Sequence, residues 1–519
     1  MKLSKSVMFG AAACLLSTSA SAQAAGDLLA LSQYNYSFST ARSAALGGAF
    51  TSLGADLSSM SINPAGLGMY MSSDFGISPS LTWNNMQSTY LGTKSDYSRT
   101  RFTLGNLGMA FNLYQGSGTL TSFTLGVGYS KLVDFNTTSA AYGQGIDKSI
   151  TDVLAEYMNG VPLSSLGHPD NDPYQPFRRA DVGLWGGILA YQTGILDPMS
   201  DAQDNKQYTV ANNLATGSRT NPSMRNVNKG SIDEYSISGG FNIQNILYLG
   251  FTIGIQDILY RNDNYYAETY DNNSLPLNGM NYIRSLHLDG TGVNFKFGAV
   301  VRPVENLRIG VAVHTPTLVS INEEYIEWMS ADYKNTARGE LLDSPRSLNE
   351  YDINTPTRLL TGISYTLPGV GLITADYERV WYNRMKLRNM GTENWDFQQT
   401  INNEVSSFYQ PANNFRVGIE ATPAQNFYIR AGYANYGECI ATRDAFNNMS
   451  SINSYENYSA GLGFRFQNMY VDLAYIYTEY KYAPYTMFYY GDPDYVVNPG
   501  NVETKQSRNT ITMSVGVRF

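Results

Sequence analysis

The chain has 519 residues, of which only 15% are charged, with 47 glycines, 40 tyrosines and a mean hydropathy of −0.27. Soluble globular proteins carry about 25% charged residues, and helical membrane proteins carry apolar runs of about 20 residues, none of which follows residue 22. An aromatic content of 13% disfavours disorder, and a net charge of −9, or −11 once Lys2 and Lys5 leave with a leader, disfavours a nucleic-acid partner.

Lys2 and Lys5 precede an apolar stretch from Val7 to Leu16, then small residues from Ser17 to Ala24. This is the pattern of a secretory signal peptide, cleaved after Ala22 or Ala24, and residues 1–22 are assigned to it. A lipoprotein anchor at Cys14 fits less well, because Ala11 is a poor lipobox residue and the apolar run continues past the cysteine. Removing Cys14 leaves Cys439 alone, so the mature fold is expected to stand without an internal disulfide. With one cysteine and three histidines (His168, His287, His314) the sequence suggests no metal site and no cofactor.

Residues 23–72 do not alternate like strands. They hold Arg42-Ser43-Ala44-Ala45-Leu46-Gly47-Gly48-Ala49-Phe50 and later Ser61-Ile62-Asn63-Pro64-Ala65-Gly66-Leu67, rich in small side chains that allow close backbone packing. The reading preferred over a disordered leader is a small plug inside a barrel.

From residue 73 onward, period-2 alternation recurs, which places successive side chains on opposite faces of a strand. Leu247, Leu249, Phe251, Ile253 and Ile255 oppose Tyr248, Gly250, Thr252, Gly254 and Gln256. Fourteen strands are predicted near 73–83, 101–114, 119–135, 231–243, 246–261, 283–302, 306–327, 345–366, 371–386, 408–422, 426–438, 453–467, 469–484 and 503–519. The second fits less well: either it carries a one-residue bulge near Gly105-Asn106 or its bounds are drawn wrongly. Short connections alternate with long ones, expected near 84–100, 136–230, 262–282, 328–344, 387–407, 439–452 and 485–502. Short turns on one side and long loops on the other are the rhythm of an outer-membrane barrel. The predicted fold is therefore all-β: a 14-stranded antiparallel transmembrane β-barrel over 73–519, with both termini periplasmic and a small N-terminal hatch in its lumen. The extracellular insertion at 136–230 carries helical spacing at Ile146, Ile150, Val153, Leu154 and Tyr157 and a second apolar stretch from Asp181 to Ile195, and is expected to fold over the barrel mouth.

The chain ends on Thr510-Ile511-Thr512-Met513-Ser514-Val515-Gly516-Val517-Arg518-Phe519, apolar at each odd position. A terminal strand closing on Phe519 resembles the insertion signal of bacterial outer-membrane barrels, which implies the cell outer membrane of a Gram-negative bacterium, with its lipid and lipopolysaccharide and the barrel-assembly machinery as partners.

Gly47-Gly48-Ala49-Phe50, Ala55-Asp56 and Asn63-Pro64-Ala65-Gly66-Leu67 together resemble the N-terminal hatch of FadL-type transporters of long-chain fatty acids and aromatic hydrocarbons. Arg302-Pro303-Val304-Glu305-Asn306-Leu307-Arg308-Ile309-Gly310, and Arg416 to Pro423 continued by Arg430 to Tyr433, are similar to hairpins of that family. The resemblance implies a monomeric, passive, non-enzymatic channel for a hydrophobic small molecule, released sideways through the barrel wall. Asn63, Pro64, Ala65 and Gly66 would form the gate. A carboxylate ligand would need a cation, and Arg178, Arg179, Arg416 and Arg430 are the candidates. Uptake of haem or another hydrophobic ligand, or an adhesin or structural role for 136–230, are the alternative readings.

Overall fold

The structure is a computed structural model that describes residues 25–166, 172–210, 219–271, 276–334, 341–391, 394–441, 451–492 and 495–519. The signal segment 1–22 and His168 lie outside the described residues.

Fourteen strands form the barrel. They are β1 (Asp74–Tyr90), β2 (Thr93–Gln115), β3 (Leu120–Asp134, resuming as Thr137–Tyr142), β4 (Thr220–Ile243), β5 (Leu247–Tyr270), β6 (Leu277–Val304) and β7 (Leu307–His314 with Leu318–Tyr333). The remainder are β8 (Ser347–Asn354 with Arg358–Leu367), β9 (Gly371–Trp381 with Lys386–Arg388), β10 (Pro411–Ala424), β11 (Phe427–Tyr436), β12 (Ile452–Phe466), β13 (Met469–Tyr482) and β14 (Asn501–Arg518). Each pairs antiparallel with the next, and β14 pairs with β1, so the sheet closes. Closure leaves no free end-strand edge.

Alternation explains the orientation of each strand. Leu249, Phe251, Ile253 and Ile255 are exposed on the outer face of β5, while Tyr248, Thr252 and Gln256 are buried inside. Ile511 and Met513 face outward from β14 while Thr510, Thr512 and Ser514 are buried, and Phe519 is exposed at its end. Such an apolar exterior over a polar lumen is stable in lipid and unfavourable in water. The bulge is present at the expected place: Ser78 pairs with Asn106 and Pro79 with Leu104, leaving Gly105 unopposed and switching the buried phase.

The strands run further than alternation predicted. The connection expected at 84–100 is a tight turn at Leu91-Gly92 between extended β1 and β2. That expected at 262–282 is shortened by β5 continuing to Tyr270 and β6 starting at Leu277. β4 starts at Thr220 rather than near 231. The cause is common to all three. Beyond the hydrocarbon layer a strand no longer needs an apolar outer face, so its sequence, such as Asn226-Val227-Asn228-Lys229, reads as loop. The insertion supplies helices α4 (Ile150–Met158), α5 (Gln175–Arg178) and α6 (Trp185–Gln192). The connection expected at 387–407 contains an amphipathic helix, Trp395–Phe408.

Before β1, short helices α1 (Ala25–Ala30), α2 (Ala41–Ala45) and α3 (Ser59–Ile62) and a 3-10 stretch, Pro64–Met69, are packed against the inward face of the strands. Leu46, Phe50, Leu53, Ile62 and Leu67 are all buried there.

Candidate functional site

The lumen is obstructed by the N-terminal segment, and one residue shows how tightly. Asn63 is fully buried. Its Nδ2 donates to Thr51 O at 2.6 Å and reaches Val311 O at 3.4 Å and Ala299 O at 3.5 Å on β7 and β6, while its Oδ1 accepts from Ala65 N at 3.1 Å. Pro64, which has no N–H to satisfy, opens the 3-10 stretch. This turn sits on two cross-strand glycine partners, Gly250 and Gly298. A Cβ on Gly298 would stand 1.8 Å from Asn63 Oδ1, and one on Gly250 would stand 2.2 Å from Pro64 C. Gly66 is equally enclosed: a Cβ on it would stand 2.5 Å from Ser59 Oγ and 2.9 Å from Leu53 O.

Charge holds the same segment to the wall. Asp376 Oδ2 on β9 accepts from Phe50 N (2.8 Å), Thr51 N (2.8 Å) and Thr51 Oγ1 (2.6 Å). Arg42 pairs with Glu420 at 3.3 Å. Arg416 and Arg430 are on the lumen side as expected, but their charges are met by the wall: Arg416 lies 2.9 Å from Glu378 and 3.9 Å from Asp376, and Arg430 lies 2.6 Å from both Glu420 and Asp472. Arg178 is exposed and pairs with Asp172 at 2.5 Å; Arg179 is exposed beside it on the outer loop. None of these four arginines lines the cavity described next.

That cavity, of about 330 Å³, lies between the N-terminal segment and the insertion, within the range of about 300–1,000 Å³ typical of small-molecule sites. Leu29 belongs to its α1 side, Val133 and Phe135 to its β3 side, and Leu154 and Tyr157 to α4. Nine tyrosines line it. On β4 and β5, Asn226 faces Asn264 and Asn228 faces Asn262 as cross-strand pairs joined by side-chain amide hydrogen bonds. Arg284 and Arg508 are its lining cations and Asp27, Asp134 and Glu327 its lining acids. Burial pushes the Asp27 carboxyl well above the usual carboxylate range, and the Glu323 carboxylate adds to the effect.

The covering helix α4 is anchored at its start. Glu268 on β5 accepts from Ile150 N at 2.8 Å, from Tyr270 Oη at 3.1 Å, and from Ser149 Oγ and Tyr266 Oη. Ser149 and Asp152 complete a capping box. α6 packs on α4 with Gly187 directly against Met158.

One side of the cavity meets an interruption in the wall. β2 and β3 pair from Gln115–Ser122 to Asn106–Ser130, and the ladder stops there. β2 continues to Thr93 paired with β1, and β3 continues to Tyr142 paired with β4. The cause is local. Asp134 Oδ1 accepts from Asn136 N at 2.9 Å and from its Nδ2, a turn that breaks β3. Asn84 Nδ2 donates to Asn136 O and Arg508 Nη2 to Asp134 O, both at 3.1 Å, which fixes the break to β1 and β14. Three contacts bridge the gap: Arg101 lies 3.7 Å from Asp134, Ser95 Oγ donates to the Ala140 carbonyl, and Tyr97 Oη lies 3.0 Å from Tyr142 Oη. Phe102 projects outward beside it, 74% exposed.

No protein-family model matches this chain, and no curated protein does. Solved structures share its fold. The Pseudomonas putida toluene transporter TodX aligns with a TM-score of 0.51 at 12% identity, covering 92% of this chain and 97% of its own. A Pseudomonas aeruginosa FadL homologue aligns with a TM-score of 0.53 at 11% identity, covering 94% and 98%. The fold is thus that of FadL-type channels, as the strand count anticipated.

Proposed function

We propose that the protein is a passive outer-membrane channel for hydrophobic small molecules, of the class that includes long-chain fatty acids and aromatic hydrocarbons. The observation that carries this reading is a covered, aromatic-lined cavity that abuts a gap in the β2–β3 ladder. A water-filled pore gives an apolar solute no reason to enter, whereas an aromatic cavity does. An interrupted ladder leaves strand edges in the wall without a cross-strand partner, which supports use of the gap as an exit. In this reading a ligand enters beneath α4 and α6 from outside the cell, rests in the cavity and leaves sideways between β2 and β3. Residues 23–72 are the hatch that closes the straight route, and Asn63, Pro64, Ala65 and Gly66 are its gate. The fold class of the structural neighbours, one of them a toluene transporter and one a FadL homologue, supports the same reading.

The test is uptake of radiolabelled oleate by cells that lack their own long-chain fatty-acid transporter. Uptake is expected to rise with the intact protein and to fall with Asn63→Ala. Uptake no higher than in the empty strain removes fatty acids from the substrate class.

A further inference from the structure

The lining of the cavity also selects the head group of its ligand, provided that the transport reading above is correct. Its charges are close to balanced. Burial pushes the Asp27 carboxyl towards its neutral form, which leaves Arg284 and Arg508 against Glu327 and Asp134. Arg508 Nη2 already donates to the Asp134 carbonyl, and Asp134 Oδ1 accepts from Asn136 N. The asparagine rung is engaged too: Asn228 with Thr137 and Tyr260, and Asn264 with Arg284.

Two of the groups that remain are opposite each other. Arg284 on β6 and Glu327 on β7 are direct cross-strand partners, both on the inward phase and both in the cavity lining. Cβ atoms so placed stand about 5 Å apart. Long side chains of opposite charge at that spacing are expected to close on each other, and these do not. Arg284 turns Nη2 to Asn264 Oδ1 at 3.1 Å and lays its guanidinium 5.2 Å from the centre of the Tyr282 ring. Glu327, 2% exposed, turns Oε1 to Tyr325 Oη at 2.6 Å. Arg284 Nε and Glu327 Oε2 are left over, both buried and both without a hydrogen-bond partner. The Tyr282 hydroxyl stands on the same side without reaching hydrogen-bond distance of Oε2.

A bare buried donor and a bare buried acceptor are each unfavourable, so the pair is a receptor for one group that both donates and accepts. A hydroxyl does both. An ether only accepts, and a hydrocarbon does neither. An ionised carboxylate would set a second negative charge against Glu327, and an ammonium a second positive charge against Arg284. Water can fill the same place, and a ligand hydroxyl replaces both of its hydrogen bonds on entry. The rest of the lining includes Leu29, Phe135 and Leu154 with the tyrosines, which suits an apolar body and above all an aromatic ring.

We infer that the cavity takes an uncharged apolar alcohol, best a phenol, whose hydroxyl donates to Glu327 Oε2 and accepts from Arg284 Nε while its ring lies among the tyrosines.

Calorimetry on the full chain in phosphatidylcholine nanodiscs tests this, with partition into empty nanodiscs subtracted. Five probes share one body: 4-propylphenol; 4-propylanisole, which keeps the acceptor and loses the donor; 4-propyltoluene, which has neither; and the ions 4-propylbenzoate and 4-propylbenzylammonium. The wild type is expected to bind the phenol about 10-fold or more tightly than the anisole, the ratio expected for loss of one hydrogen bond to a charged group. The toluene and both ions should also bind more weakly than the phenol. Glu327→Gln leaves Arg284 unopposed, so it should narrow the phenol-to-anisole ratio and strengthen benzoate binding. Arg284→Gln should narrow the same ratio and strengthen binding of the ammonium. A purely structural role for the pair would weaken all five probes alike. Heat-modifiable migration in gels checks that the variants are folded. Equal binding of phenol, anisole and toluene by the wild type means that the pair is satisfied without a ligand hydroxyl; it overturns the inference and leaves the transport reading intact. So does tighter binding of either ion than of the phenol, or a phenol-to-anisole ratio unchanged in both variants. Binding of none of the five overturns both.

Discussion

Close contact, more than chemistry, decides what the residues of the lumen can be. Gly298 is the clearest case, because Asn63 Oδ1 occupies the space where its Cβ would go. Gly298→Val therefore forces the Asn63–Gly66 turn off β6, since the neighbouring atoms belong to the buried Asn63 amide and the Pro64 ring. The barrel should still fold, as valine suits a strand, and steady ion conductance in planar bilayers should rise above that of the wild type. Wild-type conductance from correctly folded Gly298→Val would show that the turn does not close the lumen. The Asn63-Pro64-Ala65-Gly66 motif was legible as a turn, but the wall glycines that receive it were not singled out, because their role depends on strand register. Arg416 and Arg430 were correctly placed on the lumen side, yet sequence does not show that Glu378, Glu420 and Asp472 lie beside them. Arg284 and Arg508 were missed although both lie on the inward phase of strands. Arg508 shares its phase with Thr510, Thr512 and Ser514, and that phase was the available signal.

Among the elements, the strands were legible where lipid constrains them and illegible where it does not. β5 and β14 alternate strictly between Leu249 and Gln256 and between Thr510 and Val517, because one face must be apolar. The outer parts of β1, β2, β4 and β5 lack that constraint and were read as loops. The break in β3 was visible only as a strand end near Phe135; its continuation as Thr137–Tyr142 follows from pairing with β4. Helix α4 was legible from its apolar spacing, but its anchor was not, since Glu268 lies 118 residues from Ile150 in sequence. Glu268 is 1% exposed and receives hydrogen bonds from four donors. Glu268→Ala strands those donors and should destabilise the attachment of α4 by about 1–3 kcal/mol. Limited proteolysis is expected to cut between Tyr142 and Ile150 sooner in this variant, with the barrel core remaining resistant. Unchanged cleavage would mean that packing of α4 against α6 holds the covering helices without Glu268.

For the whole molecule, the deciding question is which way a ligand leaves. Among the described residues the ladder between β2 and β3 is interrupted beside the cavity, and the N-terminal segment obstructs the axial route. If the gap is the exit, tying its two sides together must stop transport without disturbing the cavity. Tyr97 and Tyr142 already approach across it, Oη to Oη at 3.0 Å, so the pair Tyr97→Cys and Tyr142→Cys can be joined by a short bismaleimide. The native background is favourable: Cys439 is 1% exposed, and burial pushes its thiol up to about 12, so it has little reactive thiolate at neutral pH. Cross-linking in cells is expected to abolish uptake of the transported ligand, while each single-cysteine variant treated alike keeps it. Binding to the purified, cross-linked protein should persist, because the cavity is not closed by the tie. Loss of uptake with retained binding separates exit from recognition. Full uptake through the tied barrel would instead send the ligand past the N-terminal segment, and the gate at Asn63–Gly66 would then be the barrier on an axial path.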